Sequence, residues 1–76
     1  MTDSTRTYRL HIGAEFEFKT KGFSFIHVIK ITDIAIVADR STVETKVYAI
    51  VDDMNFCKTP QEWVITLTSL NAEQTA

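Results

Sequence analysis

A chain of 76 residues with a net charge of −2, 45% hydrophobic and 24% charged, has the composition of one small globular domain, not of a disordered segment. The mild acidity gives no basic stripe for general nucleic-acid binding and is too weak for a nucleic-acid mimic. One cysteine, Cys57, excludes an intrachain disulfide and points to a reducing cytoplasmic setting.

The first six residues, Met-Thr-Asp-Ser-Thr-Arg, are polar and lack an apolar signal core. Residues 1–5 are expected to fray. Residues 6–12 alternate, with Tyr8, Leu10 and Ile12 on one side and Arg9 and His11 on the other, which predicts a half-buried strand. Gly13 then marks a turn or bulge. Residues 14–19 alternate more cleanly. Ala14, Phe16 and Phe18 point one way and Glu15, Glu17 and Lys19 the other. Thr20, Lys21 and Gly22 read as a tight turn with glycine supplying a positive φ.

Residues 23–53 are the heart of the chain, almost wholly β-branched, aromatic or aliphatic. They predict three consecutive antiparallel strands. The first, residues 23–31, sets Phe23, Phe25, His27, Ile29 and Ile31 on one face, and its middle also carries Ile26 and Val28 on the other. A strand apolar on both sides asks for cover on both sides, from a curled sheet, a helix or another chain. Thr32-Asp33 is the expected turn, and residues 34–38, wholly apolar, the next strand, buried. Asp39, Arg40 and Ser41 turn the chain again. Residues 43–51 alternate, with Val43, Thr45, Val47, Ala49 and Val51 opposite Glu44, Lys46, Tyr48 and Ile50. The second set starts charged and ends apolar, which predicts passage from an edge into a covered region. No apolar run approaches the ~20 residues of a membrane span.

Residues 52–58 read as a loop. Thr59-Pro60-Gln61-Glu62 is a helix start: a threonine N-cap, proline at the first helical position, and a glutamate completing a capping box. Trp63, Val64, Leu67 and Leu70 would be its buried stripe. The competing strand pattern, Trp63, Ile65 and Leu67 in a β-branched run, is outweighed by the cap signal. Residues 71–76 are polar and expected to fray.

The predicted fold is α+β, mainly β: a small curled antiparallel meander or SH3-like barrel of about five strands with a C-terminal helix. In strand order this resembles SH3-like and chromodomain-like small barrels. No family motif accompanies the resemblance, so no functional residue follows from it. An open sheet that dimerises through its uncovered face is the alternative.

No catalytic, metal or phosphate-binding signature is present. His11, His27 and Cys57 are scattered, so no metal site is expected. His27 reads as a core ring bonded to a backbone carbonyl, and Cys57 as a small buried hydrophobe. The two glycines are isolated, which excludes a glycine-rich phosphate loop. No cofactor or enzymatic activity is expected. The reading that remains is a protein-binding module that occupies a partner's surface, the manner of small inhibitors and accessory proteins of phages and mobile elements. Tyr48, Asp52, Asp53, Glu15 and Glu17 are its candidate contacts, with acidic groups at a rim steering the partner. A homodimer is a further possibility. The alternative is a nucleic-acid-binding small barrel using Arg9, Lys19, Lys21 and Lys30, with Arg6 beside them.

Overall fold

A computed structural model describes residues 7–22 and 24–76. Its elements in chain order are β1 (Glu15–Lys19), β2 (Ile26–Ala38), β3 (Val43–Val51), β4 (Met54–Lys58), α1 (Pro60–Ser69) and β5 (Glu73–Gln74). The strands form one antiparallel sheet in the order β4-β3-β2-β1-β5. The fold is small, mainly β and α+β, as the sequence pattern implies. The sheet stays open, so the curled meander describes it and the barrel does not.

One face of the sheet is packed. Phe16 of β1, Ile29 and Ile31 of β2, and Val47 and Ala49 of β3 are buried with Ala14, Ala72 and the helical Trp63 and Leu67. The helix starts as its sequence dictates. Thr59 is the N-cap, and its hydroxyl oxygen accepts from the Glu62 N–H (3.3 Å) while the Glu62 carboxylate accepts from the Thr59 N–H (2.9 Å). Trp63 and Leu67, four residues apart, face the sheet. Val64 does not join them. It is exposed, and Leu70 is half-buried. The Trp63 indole N–H donates to the Val47 carbonyl (2.8 Å), so the one polar atom of the largest core side chain is satisfied.

Four local expectations give way. Residues 7–12 form no strand; they run as irregular chain held by tertiary bonds. The Tyr8 hydroxyl lies 2.8 Å from the Ala72 carbonyl, and the Arg9 N–H donates to Gln74 Oε1 (2.7 Å). Thr32-Asp33 is not a turn. β2 runs through it as one strand of 13 residues, with a bulge between Ile31 and Asp33. The bulge shifts the alternation by one, so Ile29 and Ile31 face the helix before it and Ile34 after it. Residues 54–58 are no loop but the edge strand β4, joined to β3 by a two-residue turn in which Asp52 and Asp53 have φ of 51° and 65°. Residues 71–76 are ordered into the sheet. Asn71 takes a left-handed φ of 54°, its N–H donates to Thr68 O, and the Ala72 N–H donates to Leu67 O, a Schellman ending that turns the chain into β5.

Two burial expectations also fail. In residues 34–38 only Ile34 and Ala35 are half-buried, and Ile36, Val37 and Ala38 are exposed. The reason is length: β1 pairs β2 only over Ile26–Lys30, so the far half of the β2–β3 hairpin projects beyond its neighbour. Phe25, expected in the core, is 62% exposed and precedes the strand. Phe23 and residues 1–6 lie outside the described residues.

Candidate interaction face

The alternation that buries Ile29, Ile31, Val47 and Ala49 under α1 sends their neighbours to the opposite side. There β2 presents Ile26, Val28 and Lys30, β3 presents Tyr48 and Ile50, β4 presents Asn55 and Cys57, and β1 presents Glu15, Glu17 and Lys19. Register places these groups together. Ile50 sits between Asn55 and Lys30, Tyr48 beside Cys57, Val28 beside Glu17, and Ile26 beside Lys19. No described element covers them. Ile26 is 55% exposed, and Val28, Tyr48 and Ile50 are also exposed. The second set of β3 was expected to run into a covered region; its Tyr48 and Ile50 face outward instead.

Three of the five expected contacts, Tyr48, Glu15 and Glu17, thus share one face. Glu73 of β5 pairs with Glu17 and extends the acidic flank. Asp52 and Asp53 do not join it directly. They form the turn at the end of β3 and β4, and the Asp52 carboxylate is bonded to Nδ1 of His27 (2.9 Å). The His27 ring stacks on Phe18 with centroids 4.9 Å apart. Its partner is therefore a carboxylate and not the backbone carbonyl expected, because the β3–β4 turn folds back beside the start of β2. Cys57 is exposed on β4, not buried, since an edge strand on an open sheet face has nothing above it.

The cations of the alternative reading are spread out. Lys30 stands in the middle of the open face opposite Glu15, Lys19 at one end opposite Ile26, Lys21 in the turn after β1, and Arg9 outside β5. Arg6 lies outside the described residues. Acidic and basic groups alternate across the face, so the arrangement offers an apolar strip with mixed charges, not a continuous basic track.

On the packed side a cleft of about 290 Å³ opens between Phe18, Ile29, Val51, Phe56, Trp63 and Leu70. Its charged lining group, Lys58, holds Nζ 5.9 Å from the Trp63 ring centre. Nothing lining the cleft is a nucleophile paired with a base. Among the described residues no three of His, Cys, Asp and Glu gather as metal ligands. Nor is any helix among them long and apolar enough to cross a membrane. The electrostatic feature of the helix is Glu62, whose carboxyl is held below the ordinary glutamate range. The Thr59 N–H is the largest cause and the Thr59 hydroxyl the next; desolvation opposes them, and nearby Lys58 adds the least.

Comparison with protein-family models, curated proteins and solved structures gave no match.

The open face was legible only in part. The alternation of residues 43–51 separated Tyr48 and Ile50 from the core set. Their neighbours on β4 were missed because residues 54–58 lack the β-branched run that marks a strand.

Proposed function

We propose that this chain is a non-enzymatic protein-binding module that acts by occupying a partner protein's surface with its open sheet face. The supporting observation is the apolar strip of Ile26, Val28, Ile50 and Tyr48, uncovered by any described residue and flanked by Glu15, Glu17 and Glu73. Apolar side chains held on a rigid sheet lose little further entropy on docking, and tyrosine supplies both area and a polar tip. The acidic flank selects a partner whose apolar patch is bordered by lysine or arginine. A small inhibitor or accessory protein of a phage or mobile element, working in the cytoplasm, is the kind of molecule this describes.

Affinity capture from nuclease-treated lysate, compared between the wild type and folded Ile50→Glu and Tyr48→Ala variants, tests this reading. A stoichiometric protein captured by the wild type and lost from both variants supports it. A protein retained by both variants, or no protein at all, overturns it. Material that returns only when nuclease is omitted, and dissociates as salt rises, would favour the nucleic-acid reading through Arg9, Lys19, Lys21 and Lys30.

A further inference from the structure

Among the described residues several stretches of the sheet's edge are unpaired, and most are protected. The outer side of β3 over residues 43–46 carries Glu44 and Lys46, and β1 beyond its pairing with β5 ends at Lys19. β5 is two residues long and polar, and β4 is a short strand interrupted by Asn55 and ended by Lys58. Short length and charge are the usual means by which strand edges avoid pairing with other chains. The far half of β2 carries no such charge. Beyond Ile31, the last residue of β2 bonded to the segment before β1, residues 34–38 have β3 on one side and no strand among the described residues on the other. Their sequence is Ile-Ala-Ile-Val-Ala, with no charge between Asp33 and Asp39.

The ladder fixes which backbone groups face that edge. The Ile31 N–H donates to Ala14 O and its carbonyl accepts from the Gly13 N–H, so Ile31 turns its backbone away from β3. The bulge moves the pattern by one residue. At the hairpin end the Asp39 N–H donates to Thr42 O, which makes that pair the bonded one. Alternation back from Asp39 gives residues 37 and 35 to β3, and points the N–H and carbonyl groups of Ile34, Ile36 and Ala38 outward. The Ile34 N–H is satisfied by the Asp33 carboxylate (2.9 Å). The outward groups of Ile36 and Ala38 meet no strand among the described residues.

We propose that this edge pairs antiparallel with the same edge of a second copy of the chain, joining the two sheets into one. An antiparallel pair of identical strands is self-complementary in its backbone bonds, and here residues 34–38 themselves bring no charge into the seam. The register centred on Val37 sets Ile36 against Ala38 and Ala35 against Asp39. A register centred on Ile36 would oppose Asp33 to Asp39, two like charges. The pairing consumes the edge in both copies, so it closes at a dimer. Five residues of edge bury less than the ~1,000 Å² of a strong interface, so the association is weak and concentration-dependent. This surface is separate from the open face proposed to meet a partner.

Sedimentation equilibrium over a wide range of protein concentration is the test, with Ile36→Pro as the main variant. Because the Ile36 N–H points outward, proline there removes no bond of the β2–β3 ladder and blocks only the edge. Ile36→Lys, at a side chain 71% exposed, serves if the proline variant unfolds. The expected result is a monomer–dimer equilibrium in the wild type and in Ile50→Glu, and a monomer at every concentration in the Ile36 variants. A wild type that stays monomeric at its highest attainable concentration overturns the proposal. So does a dimer that survives both Ile36 substitutions, and one that Ile50→Glu alone dissolves would place the contact on the open face.

Discussion

Trp63 joins the helix to the sheet by two means: a ring buried to 2% exposure, and an indole N–H that meets the Val47 carbonyl at 2.8 Å. Trp63→Phe keeps part of the apolar surface but leaves a void and removes the donor. It should cost about 2–3 kcal/mol, a fall of roughly 10 °C or more in the unfolding midpoint by calorimetry. The cap beside it makes a pH prediction. Glu62 has its folded pKa depressed by the Thr59 N–H and hydroxyl, so its contribution is full above the ordinary glutamate value and is lost as pH falls through the lowered one. The helix should therefore loosen in acid across that window. Glu62→Gln should remove this pH dependence in a far-UV titration, and Thr59→Ala should cost about 1 kcal/mol at neutral pH. Cap residues were the part of the chain most openly written in the sequence, because capping depends on four neighbouring residues and on nothing distant.

At the scale of elements, what was legible depended on whether the signal was local. β1 and β3 fall where strict alternation places them. The Thr32-Asp33 pair misleads because a polar pair between apolar runs marks a turn or a bulge equally well. The sign that separates them is parity. Before the pair the inward residues are odd-numbered, Ile29 and Ile31, and after it the inward residue is even, Ile34, with Ile36 on the same side beyond the core, so one residue has been inserted into a continuing strand. The β3–β4 turn was hidden for another reason: its two residues are Asp-Asp, without the glycine that the two-residue hairpin turn favours. Aspartate tolerates the left-handed region but not freely. Asp53→Gly should thus raise stability by about 0.5 kcal/mol, or 2–4 °C in the unfolding midpoint. Asp52 is the wrong choice for this test, since its carboxylate also holds His27. β5 depends on Asn71, Tyr8 and β1 coming together, which nothing within residues 71–76 announces.

For the whole molecule, the governing fact is that, among the described residues, one helix covers a five-stranded sheet on one face only. The β2–β3 hairpin also outruns β1, and the molecule measures 46 × 35 × 20 Å. Sequence pattern showed that β2 was apolar on both sides and therefore wanted cover on both. It could not show that the described residues supply only one, because that depends on where helix α1 crosses. The strip left bare is the basis for the proposed partner surface, and the unprotected far edge of β2 the basis for the proposed dimer. These are distinct regions, so Ile36 and Ile50 variants should separate self-association from partner binding.

The unfolding midpoint of Ile50→Glu tests most directly that this face is free in the isolated protein. Ile50 lies opposite Lys30, so a glutamate there gains a cross-strand partner and stays in water. The midpoint is predicted to stay within about 4 °C of the wild type, the range of an exposed substitution of roughly 0.5 kcal/mol. A fall of more than ~15 °C, the mark of a buried charge, would contradict it and mean that this side of the sheet is packed.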